Sequence, residues 1–154
     1  MVNNYEASEI TFFKRSEHTY GSENKTENLE MQILHENYDG QKLIVVINYK
    51  LNKTSSMFMD QLQFCQVKGM EKGDSRFITN TIDLGLAFSQ VTEFVKYTGS
   101  LSKPPWTVGV DYLIVSSEKQ ISQEDLDWFP DDLVNMNRTT QDRQNRELII
   151  LTLK

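Results

Sequence analysis

Side chains able to move protons or hold a metal are few in this chain. Among its 154 residues are two histidines, His18 and His35, and one cysteine, Cys65. His18 lies in Ser16-Glu17-His18-Thr19, and His35 ends the run Leu29-Glu30-Met31-Gln32-Ile33-Leu34-His35, where polar and apolar residues alternate. Alternation with period two marks a strand lying on a sheet, with Glu30, Gln32 and Leu34 on one face and Met31, Ile33 and His35 on the other. A catalytic metal site could draw on the two histidines with Cys65, or with carboxylates such as Glu6 or Glu9. Strand alternation works against it, because His35 faces away from Gln32. The simpler role for both histidines is a buried, hydrogen-bonded structural one.

The elements that must position these groups can be read on either side. Ile10-Thr11-Phe12-Phe13 is β-prone and suits a strand before Ser16, and the turn residues Gly21 to Lys25 join it to the Glu30 strand as a hairpin-like pair. After the turn Tyr38-Asp39-Gly40, the apolar run Leu43 to Ile47 predicts a strand buried on both faces. Ser55 or Ser56 caps a helix that places Phe58, Leu62 and Cys65 on one face, which makes Cys65 a small buried apolar residue rather than a reactive thiol. Gly69 to Ser75 is a polar loop, and Leu84 to Val95 fits a helical turn or an extended segment equally well. Ser122, with Asp125 three residues on, predicts a short helix that stops near Pro130, and Glu147 to Leu153 a closing apolar strand.

Composition bounds the function classes. The chain is 38% hydrophobic and 25% charged, as expected of one globular domain over residues 1–154. A net charge of −6 without a Lys/Arg cluster argues against nucleic acid or an anionic membrane as partner. No stretch approaches the ~20 apolar residues of a transmembrane helix, and Met1 to Arg15 lacks the apolar run of a secretory signal. One cysteine excludes an internal disulfide and favours an intracellular compartment over secretion. Asn24, Asn52 and Asn137 each begin a glycosylation acceptor triplet, a pattern that also arises by chance in an Asn-rich chain.

Four phrases, in order, resemble the α-carbonic anhydrase family. They are Ser16-Glu17-His18-Thr19; Glu30-Met31-Gln32-Ile33-Leu34-His35; Tyr97-Thr98-Gly99-Ser100-Leu101-Ser102-Lys103-Pro104-Pro105 followed by Val110 to Val115; and Asn137-Arg138-Thr139-Thr140-Gln141 with Asn145-Arg146. The third is similar to the family's Tyr-x-Gly-Ser-Leu-Thr-Thr-Pro-Pro loop, and in the fourth Thr139 stands where proline is usual. The resemblance spans about Ser16 to Arg146. It implies a mainly β fold, a large, mostly antiparallel twisted central sheet with short surface helices.

It also implies where the family's zinc would lie and what has changed there. Catalytic zinc is held by neutral imidazoles and lowers the pKa of its water to about 7. At the family's ligand position between Glu30 and Leu34 this chain has Gln32, a weak neutral ligand, and no residue from Met1 to Arg15 supplies the family's His-x-His pair. Ser102 and Glu17 match the hydroxyl and carboxylate that orient the nucleophile in the family, and Lys103 replaces a threonine at the pocket mouth. The residues expected to line a vestigial site are Glu17, Glu30, Gln32, Leu34, Leu101, Ser102 and Lys103, with no zinc or other cofactor. The function implied is a catalytically inactive, structural or protein-binding subunit of a larger assembly. The alternatives are a zinc-dependent carbonate dehydratase with a rebuilt site, and a glycan or anion binder using Lys103 and Gln32 as donors. Relative to the family the chain is short at its N-terminus. It is expected to be a fragment, to meet a second polypeptide that supplies the missing part, or to dock on a larger assembly through the bare surface, the last two being favoured jointly.

Overall fold

The computed structural model describes residues 4–153 except 22, 68, 69, 78, 132–137 and 144. Among the described residues, seven strands form one mixed sheet: β1 (Glu6–Lys14), β2 (Leu29–Glu36), β3 (Lys42–Asn52), β4 (Glu93–Ser100), β5 (Val108–Val115), β6 (Lys119–Ser122) and β7 (Ile149–Thr152). Their spatial order is β1-β2-β3-β5-β4-β7. The β1/β2, β2/β3, β4/β5 and β4/β7 pairs are antiparallel. β5 and β6 both run parallel to β3, pairing with Leu43–Val46 and with Tyr49–Asn52 in turn, so they lie end to end along one edge of it.

The hairpin between β2 and β3 turns where the sequence asks for it. Asn37 Oδ1 accepts from the backbone N–H groups of Asp39 and Gln41, and Gly40 takes φ +75, a left-handed conformation that costs glycine little. The resulting register sets Gln32 opposite Val46 and Ile33 opposite Val45. Both faces of β3 are buried from Ile44 to Tyr49, as its apolar run predicts.

One face packs Leu29, Met31, Ile33, Ile47 and Tyr49 against Phe58 and Met59 of α1 (Met57–Gln61) and Leu126 of α2 (Gln123–Leu126). The other collects Ile44, Val46, Leu101, Val110, Tyr112 and Ile114. Ser122 Oγ accepts from the Asp125 N–H as the predicted cap, although α2 ends at Leu126, short of Pro130.

Gln63 takes φ +48, which ends the predicted helix after one turn, and a 3₁₀ turn follows over Phe64–Val67. The i, i+7 spacing from Phe58 then no longer holds, and Cys65 is exposed rather than buried. Both readings left open for Leu84 to Val95 are present in turn: a 3₁₀ turn over Leu84–Phe88 is followed by the start of β4. Tyr97 to Ser100, read as loop, completes β4 against β5, with a register shift at Gly99/Ser100. The last strand forms, but all of Ile149–Thr152 is exposed. Asn137, and with it the third acceptor triplet's asparagine, lies outside the described residues. Among the described residues, no helix is long and apolar enough to cross a membrane.

Candidate functional site

Because cross-strand partners share a face, the register of β1 on β2 decides what surrounds Gln32. Thr11 is opposite Gln32, Phe13 opposite Glu30 and Glu9 opposite Leu34. The side of β1 that adjoins Gln32 is therefore a carboxylate, a hydroxyl and a phenyl ring in alternation. The Thr11 hydroxyl donates to Glu9 Oε1 at 2.9 Å, and Phe13 is buried. Sequence reading missed both residues as site lining, because neither type carries an obvious chemistry; the strand register is what selects them.

Gln32 is itself buried and fully engaged. Its amide nitrogen donates to Glu30 Oε1 at 2.7 Å and to Glu17 Oε2 at 3.1 Å. Its carbonyl oxygen faces the Ser102 hydroxyl at 3.5 Å, a long contact for a hydrogen bond. Ser102 also supports the Glu17 carboxylate, the partner expected for it. Glu17 Oε1 accepts from the Arg138 backbone N–H at 2.8 Å.

Beneath Gln32, Glu30 is fully buried. It accepts from the His18 backbone N–H at 3.1 Å, and both its oxygens lie 3.0 Å from His18 Nδ1. The other ring nitrogen of His18 is 2.6 Å from the Tyr97 hydroxyl. Burial works against charge on both groups, yet their mutual attraction outweighs it, so the His18 pKa is raised and the Glu30 pKa lowered. The arrangement is a buried histidine–carboxylate pair, ionic when His18 is protonated. Burial raises the Glu17 pKa despite the Arg138 hydrogen bond. The expected structural role of His18 is the one seen, and His35 Nδ1 likewise lies 2.9 Å from the Ile33 carbonyl oxygen.

Of the seven predicted site residues, six lie together. Glu17, Glu30, Gln32 and Ser102 form the polar network, while Leu34 and Leu101 belong to the apolar cluster around Ile44 and Val46. Lys103 departs from its expected role as a free cation at a pocket mouth. Its ammonium is ion-paired with Glu9 of β1. The Gln32 amide nitrogen is engaged with Glu17 and Glu30. Among the described residues, no group of three or more His, Cys, Asp or Glu side chains is placed to hold a metal ion.

A cleft of ≈ 1380 Å³, bordered by Glu17, His18 and Ser102 of this network, opens over β4 and β5. Tyr97 and Tyr112 stack in it with centroids 4.8 Å apart and planes 11° apart. Gly99 permits this, since a Cβ there would meet the Tyr97 ring at 3.0 Å and the Tyr112 ring at 3.4 Å. Arg138 and Arg146 border the same cleft; the family-like Asn-Arg phrases marked these positions in the sequence without placing them beside the two tyrosines.

No family model matches the sequence, and no curated protein matches it. Solved structures do. The α-carbonic anhydrase from Thermovibrio ammonificans, in complex with the inhibitor sulfanilamide, superposes with a TM-score of 0.82 at 23% identity, over 95% of this chain and 63% of that one. Dioscorin complexed with ascorbate gives 0.84 at 19%, over 97% and 63%. A halotolerant carbonic anhydrase from Dunaliella salina gives 0.83 at 22%, over 97% and 61%. The chain thus spans less than two thirds of the length of these neighbours. The likeness is one of architecture, and by that measure the chain has the α-carbonic anhydrase fold.

Proposed function

We propose that this protein is a catalytically inactive, α-carbonic-anhydrase-like module that acts as a structural or protein-binding subunit of a larger assembly. The observation that carries the reading is the set of side chains sharing the Gln32 face. Gln32 offers zinc a neutral amide oxygen, Thr11 a hydroxyl and Phe13 nothing. That donor set does not suit zinc, which prefers imidazole or thiolate in a tetrahedral shell. The Gln32 amide is moreover committed to two carboxylates, so its hydrogen bonds stabilise the network where a metal would have to break it.

The subunit half of the reading is supported by exposed apolar area at the sheet's end. Ile150 is 64% exposed and Leu153 58%, on or beside an edge strand whose outer side carries no strand partner among the described residues. Edges of this kind are ordinarily paired, covered or charged. Over a third of the length of the Thermovibrio ammonificans enzyme has no counterpart in this chain.

The test is the native mass of the protein isolated from its own cells, with mass spectrometry of co-purifying chains and metal analysis of the same sample. A stoichiometric complex without zinc supports both halves. Stoichiometric zinc with carbon dioxide hydration would overturn the first, and a lone species the second.

A further inference from the structure

The two edges of the sheet are unlike. β1 carries Glu6, Glu9 and Lys14 and a register shift between Ala7 and Glu9, charges and an irregularity of the kind that keeps an edge from pairing. β7 has neither. From Leu148 to Leu153 there is no charged residue, and Leu148, Ile149, Ile150, Leu151 and Leu153 are all exposed, by 40% to 64%.

The register shows which backbone groups this edge offers. Directly opposed residues of an antiparallel pair alternate between those that exchange hydrogen bonds and those that do not. The Leu153 N–H donates to the Thr92 carbonyl oxygen at 2.8 Å, and in the same register Phe94 lies opposite Leu151 and Lys96 opposite Ile149. Ile149, Leu151 and Leu153 therefore turn their N–H and C=O groups toward β4. Those of Ile150 and Thr152 point outward, where no strand lies among the described residues. The side chains carry both cores past β4, since Leu151 sits opposite Phe94 of the helix-covered face and Ile150 opposite Val95 of the other.

A second copy of the chain matches this edge. About a two-fold axis through Leu151, Ile150 of each copy opposes Thr152 of the other, and both pairs exchange N–H and C=O bonds. Leu151 then faces Leu151, and Ile149 faces Leu153, in a single row of Leu and Ile side chains. Residues near such an axis meet their own kind, so a charge there would meet its like at a cost in stability. The uncharged stretch from Leu148 to Leu153 meets that requirement, which the charged edge of β1 does not.

We propose that this protein forms a two-fold dimer by antiparallel pairing of β7 with β7 of a second copy. The proposal rests on the subunit reading, which takes β7 as the docking edge, and names a second copy as its occupant.

The experiment is sedimentation equilibrium of the purified protein, in reducing agent, from micromolar to submillimolar concentration. The chain is expected to pass from monomer to a species of twice its mass and no further. Thr152→Pro removes an outward N–H that β4 does not use, and should abolish the dimer with circular dichroism and thermal midpoint unchanged. Leu151→Lys and Leu151→Glu should each be monomeric, because like charges would meet on the axis, and an equimolar mixture of the two should regain the dimer. A monomer throughout, growth beyond the dimer, a dimer that survives in Thr152→Pro, or a mixture that stays monomeric overturns the proposal. A purified monomer beside a native isolate that carries other chains sinks the proposal and spares the subunit reading. A purified dimer beside a native isolate free of other chains sustains the proposal and removes the larger assembly.

Discussion

The Gln32 amide nitrogen lies 2.7 Å from Glu30 Oε1, two residues back on the same strand and on the same face. That contact ties the residue at the family's ligand position to the carboxylate beneath it. A single Gln32→His substitution should therefore yield neither zinc binding nor hydratase activity, because Thr11 and Phe13 remain. The triple variant Thr11→His, Phe13→His, Gln32→His should bind one zinc, read by metal analysis after dialysis. Activity in the single variant would sink the account of this site.

Glu30 and His18 form a buried hydrogen-bonded pair, and removing the carboxylate leaves the His18 backbone N–H and ring nitrogen without their acceptor. Glu30→Gln should cost about 3–5 kcal/mol of stability, measured by urea unfolding. A loss below about 1 kcal/mol would mean the pair contributes no more than an exposed one.

The same pair sets a pH dependence. His18 has a raised pKa, so its contribution is complete below its ordinary 6.5 and is lost as pH rises through the folded value. Glu30 has a lowered pKa, so its contribution is complete above its ordinary 4.5 and is lost as pH falls through the folded value. Both are present in full between pH 4.5 and 6.5. Glu17 has the opposite sign: its raised pKa removes stability as pH climbs above 4.5. The thermal midpoint should peak within that window, and Glu30→Gln should flatten the decline on its alkaline side.

Lys103 and Glu9 are each roughly half exposed, so their ion pair is screened by solvent. Lys103→Ala should change stability by less than about 1 kcal/mol. A larger loss in thermal or urea unfolding would show that the lysine does more than close the β1 side of the site.

Cys65 is exposed on the turn after α1. It should react stoichiometrically with Ellman's reagent in the folded protein, without denaturant. Protection until unfolding would restore the buried reading.

The exposed strand β7 is the element the subunit reading depends on. Ile150→Lys should leave the isolated protein within about 0.5 kcal/mol of wild type, as exposed substitutions usually do, while removing it from its native complex on a sizing column. Retention of the complex would place the contact elsewhere.

Local sequence determined the strands that carry the site. The alternation through Glu30, Gln32 and Leu34, the Asn37 to Gly40 turn and the Ser122 cap each depend on neighbours in the chain, and each is present as read. The phrases around Glu17 and Ser102 also marked a common site, because a resemblance in order and spacing carries the family's topology with it. What lay beyond reach depends on register, backbone breaks and long-range charge. Only the pairing of β1 with β2 brings Thr11 and Phe13 to Gln32, and only the left-handed Gln63 turns Cys65 outward. Lys103 meets Glu9 across 94 positions, which no local pattern announces. Tyr97 and Tyr112 stack because the antiparallel register of β4 and β5 sets them opposite each other, with Gly99 leaving room for the rings.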